Sequence, residues 1–126
     1  MADSLSTVSK NLALDAFLSQ GNNGFLRLYD GTMPASADAS LSGNTLLAEL
    51  TFGATAFAVA SGGSAATNAI TRDESANAGG TATFARLYKS DATTCFYQLD
   101  PSHFTVTPSL ISAGQPVEVS TGSIGF

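Results

Sequence analysis

The chain has 126 residues, with five basic and ten acidic side chains, a formal net charge of −5 at pH 7, one histidine and one cysteine. This length predicts one domain with one hydrophobic core, and the acidic balance disfavours nucleic acid as a partner. Ala, Ser, Thr and Gly supply about half of the residues, and charged residues supply only 12%. Few ionisable side chains are therefore available to catalyse a reaction or to bind a cofactor or a metal ion.

The chain begins with a predicted short helix over residues 5–18. Apolar residues recur there at spacings of three and four, Ser4 or Ser6 is positioned to cap the start, and Gly21 ends the element. The apolar side chains predict packing either on the chain's own domain or on another subunit. We therefore treat residues 1–20 as an N-terminal arm with a short helix and residues 21–126 as the main domain.

The first strand is predicted at residues 25–29, after the turn-forming cluster of residues 21–24. Its sequence, Phe-Leu-Arg-Leu-Tyr, is echoed 59 positions later by Phe-Ala-Arg-Leu-Tyr at residues 84–88. The echo has two interpretations: two equivalent strands in opposed halves of a sandwich, or chance similarity between two half-buried strands.

The middle of the chain predicts a long surface loop followed by weak strands. Residues 32–44 are polar and contain Pro34 and Gly43, which favours a loop over the end of the sheet. In residues 45–52 the alternation places Leu46 on the same face as Ala48, Leu50 and Phe52. Further strands are predicted at residues 56–60 and 65–71, around a Gly-Gly turn.

The last third predicts a hairpin of residues 81–89 and 94–99, followed by short strands near residues 104–107, 110–111 and 116–120. Seven to nine short strands with turns at this spacing indicate an all-β fold. We predict an antiparallel β-sandwich, jelly-roll-like, with a short N-terminal helix.

Chemistry-bearing clusters are sparse. Cys95 and His103 are eight residues apart, and we favour a small buried residue and a turn residue over a catalytic dyad. Asp73 and Glu74 are adjacent and point to opposite faces of an extended segment. The spacing of Cys, His and acidic residues matches no zinc or calcium motif. We predict no catalytic, cofactor-binding or metal-binding residues.

Exposed apolar residues near the chain ends are the remaining candidates for function. They predict an interface with other proteins, and the candidate residues are Leu5, Val8, Leu12, Phe17, Tyr97 and Phe126. No uncharged apolar stretch reaches the roughly 18 residues of a membrane helix, so a membrane is not an expected partner.

Four segments carry a resemblance to a known group of proteins: residues 26–38 (LRLYDGTMPASAD), 46–52 (LLAELTF), 70–73 (ITRD) and 111–117 (ISAGQPV). Together they resemble the small virion structural proteins of tailed bacteriophages. The resemblance implies a capsid cement or decoration protein, a small β-sandwich that binds the outer shell and is made in the host cytoplasm. It also implies the partners: the major capsid protein and copies of the chain itself, as a dimer or trimer.

Two other functions stay open on the sequence. A tail-associated structural protein, such as a tube, collar or fibre module, has the same strand-rich composition. A carbohydrate-binding β-sandwich is the other alternative, with Tyr29, Tyr88 and Tyr97 as possible sugar-stacking rings.

Overall fold

The computed structural model describes residues 6–100, 103–120 and 122–125, which are mostly sheet with one short helix. Helix α1 (Thr7–Leu18) continues into a 3₁₀ turn (Ser19–Gly21). Nine strands follow within the described residues: β1 (Phe25–Tyr29), β2 (Leu46–Phe52), β3 (Ser64–Ala66), β4 (Ile70–Thr71), β5 (Phe84–Tyr88), β6 (Cys95–Leu99), β7 (Val106–Thr107), β8 (Glu118–Val119) and β9 (Ser123–Gly125).

Five of the strands form one antiparallel sheet in the order β4-β2-β1-β5-β6. The other four form two short antiparallel pairs, β3 with β9 and β7 with β8. The predicted antiparallel sheet and short N-terminal helix are confirmed.

The repeated Phe-x-Arg-Leu-Tyr motif forms the centre of this sheet. Strands β1 and β5 are antiparallel neighbours in which Phe25 lies opposite Tyr88, Arg27 opposite Arg86 and Tyr29 opposite Phe84. Of the two interpretations of the echo, the one that places the copies in opposed halves of a sandwich is wrong, because the two copies are paired in one sheet.

The similarity between β1 and β5 extends to the strands that flank them, β2 beside β1 and β6 beside β5. A register shift occurs between Leu28 and Tyr29 where β1 meets β2, and between the equivalent Leu87 and Tyr88 where β5 meets β6. The hairpins β1–β2 and β5–β6 thus share one bulge position, and an internal twofold axis between β1 and β5 relates them.

Because of this bulge, the side chains of β2 face differently from the prediction. Leu28 pairs with Ala48 and Tyr29 with Leu46, so Leu47 is the extra residue. The extra residue reverses the alternation at this point: Leu47 is fully buried in the main core, and Leu46 packs with Tyr29 on the opposite face. Strict alternation had placed Leu46 on the core face.

The main hydrophobic core lies on one face of the sheet, here called the inner face. It combines Leu26 and Leu28 of β1 and Leu87 of β5 with side chains from the helix, the loops and the short pairs. Burying each such leucine contributes about 1.5–3 kcal/mol. A second, smaller cluster of Tyr29, Phe84 and Tyr88 lies on the outer face.

Residues 56–60 do not form the predicted strand, and residues 65–71 are divided between β3 and β4. Two amides of the first segment are taken by side chains, since Ala56 N–H donates to Asn22 Oδ1 at 2.9 Å and Ala60 N–H to Asp15 Oδ1 at 2.8 Å. Between them, Ala58 N–H donates to the Ala66 carbonyl oxygen. Only Phe57 makes a bridge, to Thr67. Because the amides at both ends of the segment bind side chains, the pairing does not extend beyond this single bridge.

Helix α1 begins as predicted, with Ser6 as its cap, since the Ser6 hydroxyl accepts the Ser9 N–H at 3.1 Å. Val8 and Leu12, which follow the three-and-four spacing, are exposed, whereas Leu14 and Leu18 enter the core. Hydrogen bonds fix this orientation of the helix, because Asn11 and Asp15, on the face next to Leu14 and Leu18, accept the loop amides of residues 63 and 60.

The long loop of residues 32–44, called the strap below, crosses the outer face rather than the end of the sheet. Arg86 Nη2 donates to the carbonyl oxygens of Ser36 at 3.3 Å and Ala39 at 2.7 Å, and Gln98 Nε2 donates to that of Pro34 at 2.6 Å. Side chains of β5 and β6 therefore hold the strap against the sheet.

The entry to β1 requires glycine at position 24. A Cβ added to Gly24 would collide with the carbonyl oxygen of Tyr88 and lie 2.9 Å from that of Gly21, whereas one added to Gly53 meets nothing within 4 Å. We expect Gly24→Ala to lower the free energy of unfolding by about 2 kcal/mol or more. Gly53→Ala, the control, should change it by less than about 1 kcal/mol. Urea denaturation followed by circular dichroism tests this, and equal effects would contradict it.

The β5–β6 turn is closed by Asp91. Its carboxylate accepts the amides of Thr93 and Thr94, each at 2.9 Å, and the Thr94 hydroxyl at 2.6 Å. These bonds, led by those from Thr94, lower the pKa of Asp91 from 3.8 to about 2. A carboxyl group whose folded pKa is lowered stabilises the fold above its unfolded pKa, and this contribution is lost as the pH falls towards the folded value.

We therefore expect the side-chain carboxyl of Asp91 to titrate near pH 2 by NMR, and the stability it provides to be lost between about pH 4 and 2. Asp91→Asn should show a shallower loss of stability over this interval. A titration midpoint near 3.8 would contradict the hydrogen-bonded turn.

Candidate interface surface

The predicted interface residues fall into two groups. Val8 and Leu12 are 69% and 67% exposed, and Phe17 and Tyr97 are half-buried. Leu5 and Phe126 lie outside the described residues.

Val8 and Leu12 lie one turn apart on α1, so their side chains are neighbours on its surface. Val59, 84% exposed, belongs to the loop that Asp15 and Asn11 fasten to the helix. We call Val8, Leu12 and Val59 the helix patch. Sequence reasoning missed Val59 because it lay in a predicted strand.

A shallow cavity of about 310 Å³ lies between the helix and this loop. Its walls include Asp15 and Ser19 from the helix end and Phe57 and Val59 from the loop. The cavity gives the surface around Val59 a concave shape with a single acidic side chain. Such a shape suits the insertion of a small or apolar side chain from another protein.

Phe17 and Tyr97 are brought together inside the molecule. The Phe17 ring meets Tyr97 edge-on at 5.2 Å between centroids and Phe96 at 5.6 Å. These contacts fasten the helix to β6, and edge-on aromatic pairs of this kind contribute about 0.5–1.5 kcal/mol each. The helix therefore packs on its own domain through Phe17, Leu14 and Leu18.

Two arginines lie side by side on the outer face, at the internal twofold axis. Arg27 forms an ion pair with Glu49, and its guanidinium lies 4.3 Å from the centre of the Tyr88 ring. Burial lowers the pKa of Arg27, but the hydrogen bond and charge of Glu49 outweigh it, so the net shift is upward. The equivalent pair in the other hairpin is Arg86 and Gln98, where an amide replaces the carboxylate.

Arg86 is only 4% exposed, so its charge is available to the strap carbonyls rather than to a ligand at the surface. Arg72, the third arginine of the chain, pairs with Glu74 and Glu118 instead. The arginines do not converge on one exposed site.

Two of the tyrosines considered for sugar stacking make contacts inside the molecule. Tyr29 and Tyr88 are buried, and their hydroxyl groups lie 3.2 Å apart. Burial, with the Tyr88 hydroxyl, raises the pKa of Tyr29 above its usual value. The Tyr29 ring stacks on Phe84 and the Tyr88 ring lies against the Arg27 guanidinium, so the two rings do not form an exposed platform.

Cys95 and His103 have separate partners. The Cys95 thiol lies 3.4 Å from the carbonyl oxygen of Tyr97, and burial raises its pKa. His103 Nδ1 lies 3.3 Å from the carbonyl oxygen of Ser123. A raised pKa disfavours the reactive thiolate. In the part of the chain that the structure describes, no group of three or more His, Cys, Asp or Glu side chains is arranged to hold a metal ion.

Comparison with protein families, with curated proteins and with solved structures gives no match for this chain. Across residues 6–100, 103–120 and 122–125, no helix combines the length and apolar character needed to cross a membrane.

The orientation of α1 predicts opposite outcomes for two leucines two residues apart. Leu14 is fully buried and Leu12 is 67% exposed. We expect Leu14→Ala to lower the free energy of unfolding by about 2–5 kcal/mol, and Leu12→Ala by less than about 0.5 kcal/mol. Chemical denaturation of both variants measures this difference. A larger loss for Leu12→Ala would mean that the helix turns its other face to the core.

Proposed function

We propose that the chain is a non-enzymatic structural protein of a phage virion, a cement or decoration protein that binds the outer capsid shell. The observation that carries the proposal is the helix patch: Val8 and Leu12 expose apolar side chains on a helix that Leu14 and Leu18 already fasten to the core, and Val59 is exposed on the loop bound to that helix. A fold that leaves such side chains in water has apolar surface available for a partner. The family resemblance supplies the partner, the major capsid protein.

The proposed architecture is a two-layer β-sandwich of the jelly-roll type. The inner face of the five-stranded sheet and the two short strand pairs contribute to one core, in which Leu28 and Leu50 are joined by Ala65, Val119 and Ile124. A shared core between a sheet and opposing strands is the arrangement that defines a sandwich. This supports the fold that the family resemblance implies.

The composition of the helix patch supports a role in a lattice. Its three residues are apolar and uncharged. A patch of this size binds a single partner molecule only weakly. Many copies on one shell allow weak contacts to hold, since neighbouring attachments reinforce each other. A tail-associated protein remains the alternative, with few copies at one vertex. The carbohydrate-binding alternative loses support because Tyr29 and Tyr88 are buried.

The proposal is tested by adding purified protein to particles of the phage that encodes it, prepared without this gene product, and measuring co-sedimentation. We expect saturable binding at a copy number comparable with that of the major capsid protein. Leu12→Asp should weaken binding by about tenfold or more, because it places a charge in the apolar contact.

Leu110→Asp is the matched control, since Leu110 is 65% exposed and lies outside the helix patch. It should bind as the unmodified protein does. Failure of the unmodified protein to bind the shell, or binding of only a few copies, would reject the decoration role.

A further inference from the structure

A cavity of about 300 Å³ lies between the strap and the β5–β6 turn. Its walls come from strap residues 37–40, from Arg86 and Tyr88 of β5 and from residues 93–95, and each wall carries polar side chains. Cavities that bind small ligands span about 300–1,000 Å³. This one therefore has room for a small molecule or for a single side chain of another protein.

Arg86 brings a buried positive charge to this cavity. The residue is only 4% exposed, and its guanidinium makes two hydrogen bonds to described residues, both from Nη2 to strap carbonyl oxygens. The donor on Nε is buried without a partner, and the two donors on Nη1 have no partner in this part of the chain either. The ion pairs of the described residues belong to Arg27 and Arg72. Arg86 thus has no carboxylate to compensate its charge, which is costly for a buried group.

The internal twofold axis shows which group Arg86 lacks. In the first hairpin, Arg27 lies opposite Glu49 and forms an ion pair with its carboxylate. In the second hairpin, the residue opposite Arg86 is Gln98. The amide of Gln98 is committed to the strap, since its Nε2 donates to the Pro34 carbonyl oxygen and its Oε1 is buried without a partner. Gln98 therefore helps to hold the strap in place and leaves Arg86 without a carboxylate.

We infer that the cavity binds a carboxylate group, which takes at Arg86 the place that Glu49 takes at Arg27. A ligand that stays at the surface does not reach Arg86, whereas a carboxylate that enters the cavity is bound by the free donors of Nη1. The carboxylate comes from one of two sources: a free small molecule, or an aspartate or glutamate side chain of a partner protein. The cavity shares no residue with the helix patch, so this inference does not rest on the capsid role.

The charges around the cavity favour an anion although the whole chain carries −5. Arg27 lies directly opposite Arg86 on the neighbouring strand and adds a second positive charge. Burial raises the pKa of the Cys95 thiol on the cavity wall, and of the neighbouring charges Arg86 opposes this rise more than Asp38 adds to it. Arg27 acts in the same direction as Arg86. Asp38 is on the strap wall and is exposed, and it forms no ion pair with Arg86.

An NMR titration of the isotope-labelled protein tests the site. Sodium acetate and the capped tripeptide acetyl-Gly-Glu-Gly-amide are the two probes, and sodium chloride at the same ionic strength is the control. We expect saturable shifts of the amides of residues 38–40 and 93–95 with at least one probe, with a dissociation constant on the order of 1 mM, and no such shifts with chloride. The probe that binds more tightly identifies the source of the carboxylate.

Two acidic residues provide a matched pair of variants. Asp38→Asn removes a negative charge from the cavity wall and should tighten binding of the probe by about threefold or more. Glu74→Gln removes the same charge from a carboxylate that pairs with Arg72 outside the cavity, and should leave the affinity within about twofold. Arg86→Gln should abolish the shifts.

If Arg86→Gln fails to fold, the comparison of Asp38→Asn with Glu74→Gln decides. Absence of shifts with both probes, shifts that chloride reproduces, equal effects of the two acidic variants, or unchanged binding by a folded Arg86→Gln variant would overturn the carboxylate site. Shell binding by a protein that ignores both probes would remove this site and leave the proposed function standing.

Discussion

The antiparallel pairing of β1 with β5 is the contact on which the other elements depend. It places two arginines, Arg27 and Arg86, directly opposite each other at the centre of the sheet. Like charges in this position destabilise a strand pair unless each finds another partner. Arg27 finds Glu49 on β2 and the Tyr88 ring, and Arg86 finds the strap carbonyls. Strand β2 thus supplies the acidic partner of Arg27, and the strap supplies hydrogen-bond acceptors for Arg86.

The same pairing decides which surfaces are left for partners. The inner face is filled by the core, to which the helix contributes Leu14 and Leu18. The outer face is partly covered by the strap, which Arg86 and Gln98 hold in place. The exposed side of α1 is left open, and its apolar side chains suit contacts with protein.

Local alternation was enough to predict the central strands. β1 and β5 lie within the predicted segments of residues 25–29 and 81–89, and in β1 Leu26 and Leu28 alternate with Phe25, Arg27 and Tyr29 without interruption. The prediction of side-chain faces failed where a β-bulge adds one residue to a strand: the extra Leu47 reverses the alternation of faces in β2. It failed again where side chains compete for backbone amides, as Asn22 does for Ala56. Neither the β-bulge nor the side-chain bonds to backbone amides produce a periodic pattern of apolar residues, so neither could be read from the sequence.

The candidate surface was predicted only in part, for a related reason. Val8 and Leu12 were identified by their apolar character. The sequence could not show that they face solvent, because Asn11 and Asp15 set the rotation of the helix through contacts 52 and 45 residues away along the chain. Val59 had no distinguishing signal among its alanine neighbours. Its exposure depends on a loop whose path is fixed by the same two hydrogen bonds.

The proposed capsid role is decided by a cryo-electron-microscopy reconstruction of virions from the proposed phage, because the reconstruction shows both the location of the protein and its contact surface. We expect density for this fold at repeated positions over the outer shell, with the Val8 and Leu12 side of α1 against the capsid protein. Density confined to the tail or to one vertex, or a shell contact made without α1, would contradict it.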